Sequence, residues 1–254
     1  EKGELDAAID SLKKAIELEP DYPDAYTNMG NALMEKGELD AAIDSLKKAI
    51  ELKPDYPDAH TYMGNALFEK GDLDAAIDSF KKAIKLKPDY PDALNNLGNA
   101  LQKKGELDAT IDCLKKALKL KPDYPDAHTN MGNALMEKGE LDAAILSYNR
   151  ALQIKPDLSE AHCNMGNALR DKRELDSAIL SYNRAVQIKP DYDEARASRL
   201  LLQAHICDWA AIREDSKYIP KLGISTEHLS PFSMLLLEDS PERHRQRSEL
   251  YAKK

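Results

Sequence analysis

The chain has 254 residues, 32% of them charged, and a formal net charge of −9. That acidity disfavours nucleic acid and anionic membranes as partners, because both select a basic face. No apolar run approaches the roughly 20 residues of a membrane span and no signal peptide opens the sequence, so a cytoplasmic location is expected.

In chain order, residues 1–22 read as a partial repeat that contributes only its second helix, Gly3 to Leu18. From Pro23 a segment, PDAYTNMGNALMEKGELDAAIDSLKKAIELKPDY, occupies residues 23–56. It returns almost letter for letter from Pro57, Pro91 and Pro125, and more loosely from Ser159. Self-similarity at a fixed 34-residue period specifies a stacked array in which each unit buries its apolar face only against its neighbours. Function is therefore expected on an extended surface.

With each repeat numbered from its first residue, Gly37, Gly71, Gly105 and Gly139 fall at position 15 between two helical patterns. Glycine there admits the left-handed conformation that ends a helix. The second helix stops at the proline of position 32 (Pro54, Pro88, Pro122, Pro156, Pro190), and the next opens with proline and an acid, as in Pro57 and Asp58. Each repeat is thus a helix pair, and residues 23–192 hold five of them.

At about 100° per residue, positions 3, 4, 7, 8, 10 and 11 share one face of the first helix. In the second repeat these are Ala59, His60, Met63, Gly64, Ala66 and Leu67, a core stripe. Glycine at position 8 and alanine at position 20 would let helices approach closely, with Leu or Tyr at 24 and Ala at 27 completing the seam. His60, His128 and His162 alternate at position 4 with Tyr26 and Leu94, which argues for packing rather than metal binding. Cys113, Cys163 and Cys207 lack the close spacing of a zinc or CxxC site and read as free thiols.

This pattern resembles the tetratricopeptide repeat, whose signature has small residues at 8, 20 and 27, a large one at 24 and proline at 32. The resemblance covers residues 1–192 and implies an all-α fold, a right-handed α-solenoid superhelix. Two residues depart from the pattern: Thr110 replaces alanine at position 20, and Arg173 replaces glycine at position 15.

The opposite face of the first helix collects positions 2, 5, 6, 9, 12 and 13, which the resemblance places on the concave wall. Position 6 is Asn28, Asn96, Asn130 and Asn164, with Tyr62 interrupting, and position 9 is Asn31, Asn65, Asn99, Asn133 and Asn167. An amide both donates and accepts, so these residues are candidates to hold the backbone of an extended peptide whatever its sequence. Asparagine is a mediocre helix former, so propensity does not explain the recurrence. Position 9 is open to a second reading, in which its asparagines bridge neighbouring repeats. Positions 2, 12 and 13 add nine acids against Lys103 and Arg170, so neutral or basic clients are expected and a clamp for a C-terminal carboxylate is not.

After Tyr192 the period fails. Residues 193–220 read as a divergent helix pair carrying Leu200 at position 8 and Cys207-Asp208-Trp209 in its turn. Residues 221–254 read as a helical linker in which Ser230-Pro231 and Ser240-Pro241 open an apolar helix, PFSMLLLED, and a charged one. The array, then CDW, then PFSMLLLED and Tyr251-Ala252, resembles the region before the catalytic part of O-linked N-acetylglucosamine transferases, especially bacterial ones. That resemblance implies an asparagine ladder for protein substrates and a sugar-nucleotide transferase domain beyond Lys254.

Within these 254 residues no motif supports catalysis or a cofactor. The leading expectation is a substrate-recruiting array, with a free-standing adaptor as the alternative, and a homodimer is a candidate assembly for either. A consensus-engineered array is a third reading, disfavoured by the irregular tail.

Overall fold

The computed structural model describes residues 2–215, 217–222, 237 and 240–251. A lone helix, α1 (Lys2–Leu18), precedes the repeats. The first helices of the five repeats are α2 (Pro23–Glu35), α4 (Pro57–Lys70), α6 (Pro91–Lys103), α8 (Pro125–Glu137) and α10 (Ser159–Asp171). Their second helices are α3 (Leu39–Leu52), α5 (Leu73–Leu86), α7 (Leu107–Leu120), α9 (Leu141–Ile154) and α11 (Leu175–Ile188). There follow α12 (Asp193–His205), a short α13 (Trp209–Glu214), a 3-10 turn (Ile219–Lys221) and α14 (Pro241–Tyr251). No strand occurs among the described residues. Contacts divide the chain into two units, Glu1–Ala134 and Leu135–Lys254.

Glycine at position 8 determines how closely the two helices of a repeat approach. A Cβ added to Gly64 would lie 2.5 Å from the Phe80 ring, and one added to Gly30 would lie 2.5 Å from Leu46 Cγ. The large residue of position 24 is thus seated on bare backbone. Phe80, Leu46 and Leu114 in the first unit and Tyr148 and Tyr182 in the second are all essentially inaccessible to solvent. The departure at position 20 fits the same seam, because Thr110 is fully buried and its one hydroxyl proton has the carbonyls of Glu106, at 3.0 Å, and Gly98, at 3.3 Å, within reach of Oγ1. Its hydroxyl is satisfied, so burial carries no unpaired polar group.

The turns repeat as closely as the helices. Gly71 has φ 88°, its N–H donates to Phe68 O, and the N–H of Asp72 reaches back to Leu67 O at 2.9 Å, the pattern of a Schellman cap. Arg173 adopts φ 67° in the same bonded turn, with Arg173 N to Arg170 O and Glu174 N to Leu169 O both at 2.9 Å. Cys207 does so too, at φ 61°, with Asp208 N donating to Gln203 O at 2.8 Å. Although the sequence period breaks at Tyr192, the geometry of one further turn survives it. The divergent pair then closes on its own small cluster of Ala197, Leu200, Ala204, Ile212, Ile219 and Leu222. Leu237 is half-buried against that cluster; the rest of the expected PFSMLLLED helix lies outside the described residues.

In the first unit α2 touches α4 and α4 touches α6, so successive first helices pack directly on one another. There α3 packs on α4 and α5 on α6, and in the second unit α9 packs on α10. Exposed ion pairs keep the same register: Lys36 to Asp6 at 2.8 Å, Lys70 to Asp40 at 2.5 Å and Lys104 to Asp74 at 2.6 Å. Within the second unit Lys172 reaches Asp142 at 2.6 Å.

Two stability predictions follow from these seams and turns. Gly64→Ala should destabilise the chain by about 1–3 kcal/mol, because the Phe80 ring must leave its rotamer. Gly98→Ala should cost less, since Leu114 leaves 3.1 Å there. Denaturant titration of both variants checks the order. Conversely, Arg173→Gly should stabilise by about 0.5–1 kcal/mol by relieving a left-handed side chain, read as a raised Tm.

Candidate peptide-binding wall

The inner face differs from the sequence expectation at two positions. Position 5 is buried in every repeat: Thr27, Thr61 and Thr129 each donate Oγ1 to the carbonyl four residues back, at 2.8, 2.9 and 3.0 Å, and Cys163 is fully enclosed. Those residues seal the helix rather than face a groove. In the first three repeats the acid of position 2 is also engaged from within. Tyr90 OH donates to Asp58 at 2.7 Å, and Tyr56 and Tyr124 make the equivalent bonds to Asp24 and Asp92. Burial, then the neighbouring carboxylate, raises all three phenols above their ordinary range.

The asparagines are half-buried along the wall, except Asn28, which is exposed. In the first unit they form a chain of amides across three repeats. Asn130 Nδ2 donates to Asn95 Oδ1 at 2.9 Å, Asn95 Nδ2 to Asn96 Oδ1 at 3.2 Å, and Asn96 Nδ2 to Asn65 Oδ1 at 2.9 Å. Asn95, only 4% exposed, was missed by the sequence reading. The signal available was its replacement of threonine at position 5 next to a ladder asparagine.

Position 9 is held largely from within. Asn65 accepts from Asn96 of the following repeat, Asn31 donates to Glu35 at 3.1 Å, and Asn167 Oδ1 accepts from Tyr182 OH at 2.7 Å. At position 6, Asn96 and Asn130 each spend one N–H on the chain. An amide has two N–H donors and two acceptor lone pairs, so each keeps capacity for a client. Asn99, with Asn65 and Asn96, borders a cavity of about 150 Å3 floored by Met34, Phe68 and Phe80. Asn133 and Asn164 are half-buried at their expected positions in the first and second units. Tyr62 does not project freely; it packs against Ile43, Leu46, Met63 and Ala66.

The histidines of position 4 have a polar task beyond packing. His60 and His128 place Nε2 2.9 Å from the carbonyls of Pro54 and Pro122, and His162 lies 3.1 Å from that of Pro156. Arg196 takes over in the divergent pair, at 2.6 Å from Pro190 O. Each contact satisfies a carbonyl that proline leaves at the inter-repeat turn. Among the described residues no group of three or more His, Cys, Asp or Glu could hold a metal ion. Burial pushes the Cys163 thiol up to about 12 and raises that of Cys113.

Family comparison identifies the array. A TPR repeat model matches residues 1–37, 30–69, 64–105, 103–139 and 132–172, and a tetratricopeptide repeat model matches 159–192. The chain belongs to the tetratricopeptide repeat family. Among solved structures, this tetratricopeptide chain is similar to MamA, at 30% identity over 64% of this chain and 95% of that one, with a TM-score of 0.58. It is also similar to YrrB, described as a TPR protein with an unusual peptide-binding site, at 26% identity over 74% and 97%, with a TM-score of 0.58. PilF of Pseudomonas aeruginosa shares the fold at 21% identity over 91% and 97%, with a TM-score of 0.68. Comparison with curated proteins gave no match.

Burial holds the His162 imidazole below its ordinary 6.5. The unfolded chain then takes up the proton first, so the stability carried by neutral His162 is complete above about pH 6.5 and is lost as pH falls through the lower folded value. His162→Leu, the residue type found at Leu94, should remove this dependence. Thermal melts at about pH 7.5 and 5.5 should show the wild-type Tm falling further than the variant's.

Proposed function

We propose that this tetratricopeptide chain is a protein-binding scaffold whose inner asparagines hold the backbone of an extended client segment. The observation that carries the reading is the amide chain Asn65, Asn96, Asn95 and Asn130, which fixes the orientation of the ladder groups before any client arrives. Preorganised amides bind with less loss of side-chain freedom, and backbone recognition suits a scaffold with many clients. Asn164 and Asn167 supply the corresponding stretch in the second unit. A neutral or basic client suits the excess of acids over bases at positions 2, 12 and 13.

We further infer that the array recruits substrates for a glycosyltransferase similar to the O-linked N-acetylglucosamine transferases. The inner asparagines and the Cys207-Asp208-Trp209 junction support that reading. A free-standing adaptor is supported by a different observation: Leu237 packs back onto the α12 to α13 cluster, as in an array that caps its own end. Self-association is a further proposal, resting on Leu146 and Leu180, exposed by 71% and 69% at position 22 where earlier repeats carry Asp44, Asp78 and Asp112.

Replacing Asn96, Asn130 and Asn164 together with alanine should weaken client capture by on the order of 1 kcal/mol per contact while circular dichroism stays helical. Undiminished capture by a folded variant would remove the ladder from the account.

A further inference from the structure

A cavity of about 510 Å3 lies between α10 and α12 in the second unit. Two of its lining residues, Ser198 and Leu201, stand at positions 6 and 9, where asparagines stand elsewhere. The cavity therefore occupies the inner-wall register at the end of the repeats. Its chemistry differs from the rest of that wall. Arg170, Arg173 and His205 border it, and Leu175, Leu201 and Leu202 line its apolar side. Arg170 donates from Nε and Nη2 to Oδ1 of the single acid, Asp171, at 3.1 and 3.0 Å, so these two are engaged with each other and Arg173 is the guanidinium offered to a client.

Arg173 supplies an independent observation. It sits at φ 67° in a turn that four other repeats fill with glycine. A non-glycine residue held in that region costs stability, and such strain collects at binding sites. Here the strained residue brings a guanidinium to the rim of a cavity that already holds another.

We propose that this cavity binds an Asp or Glu side chain followed by an apolar one, within the segment that lies along Asn164 and Asn167; the proposal rests on the peptide-binding reading above. A guanidinium fork matches a carboxylate in two parallel hydrogen bonds. The three leucines accept the adjacent apolar side chain, which a simple inorganic anion would leave uncovered. The site discriminates among clients that the asparagines, reading only backbone, would treat alike.

The test uses the full chain and peptides with blocked termini, carrying Glu-Leu or Gln-Leu at the centre of an otherwise Ala and Ser sequence, followed by fluorescence anisotropy. Glu-Leu should bind about tenfold more tightly than Gln-Leu, the size of one charge-assisted contact. Arg173→Gly should abolish that preference without weakening Gln-Leu, in a protein whose Tm is not lowered. Asn164→Ala should weaken both peptides alike, so it reports on the inner wall while Arg173→Gly reports on the cavity. Equal affinity for the two peptides, a preference that survives Arg173→Gly, or binding of neither peptide overturns the proposal. So does tighter binding of a peptide whose only carboxylate is its free C-terminus.

Discussion

The seating of a large position-24 side chain on a bare position-8 glycine is the contact on which the other features of the array depend. It brings the two helices of a repeat to a separation that a single methyl group would disturb, at Gly64 over Phe80 and at Gly166 over Tyr182. Because that face of the first helix is consumed in the seam, the other face is left for function. The asparagines of position 6 recur with the helix pair, save where Tyr62 interrupts them. Burial of aromatic and aliphatic groups in the seam is the stabilising contribution; the exposed lysine to aspartate pairs add register more than energy.

A second layer of contacts disposes of polar groups that the fold would otherwise strand. Proline at position 32 ends a helix and leaves its carbonyl at the inter-repeat turn, and position 4 answers with His60, His128, His162 or Arg196. In the first three repeats the tyrosine of position 34 ties down the acid of position 2. These contacts take residues that look like binding or metal-site candidates and assign them to architecture. The surface we propose for clients is therefore narrower than the whole face: position 6, the cavity beside Asn99, and the basic cavity after the last repeat.

The helices, turns and seam were legible from period, glycine and proline alone, because each is set by local geometry that recurs in every repeat. The left-handed state of Arg173 was legible too, since a fixed turn leaves no alternative. Less legible was anything set by contact between repeats. Asn95 looked like a casual replacement for threonine, yet it links Asn130 to Asn96. The role of position 4 could not be read from His, Tyr and Leu alternation, because the acceptor is a backbone carbonyl. His205 lies far in sequence from Arg170 and Arg173, and the three come together only as the lining of one cavity.

The central claim is that the wall reads backbone. It is tested most directly by taking a captured client peptide and replacing its amides one at a time with esters, which keep the side chains and remove one N–H donor each. The account predicts that binding weakens at esters spaced along the peptide, and that the same esters have little effect once Asn96 and Asn130 are alanine. Ester peptides that all bind as tightly as the parent would contradict it, and would move recognition to the client's side chains.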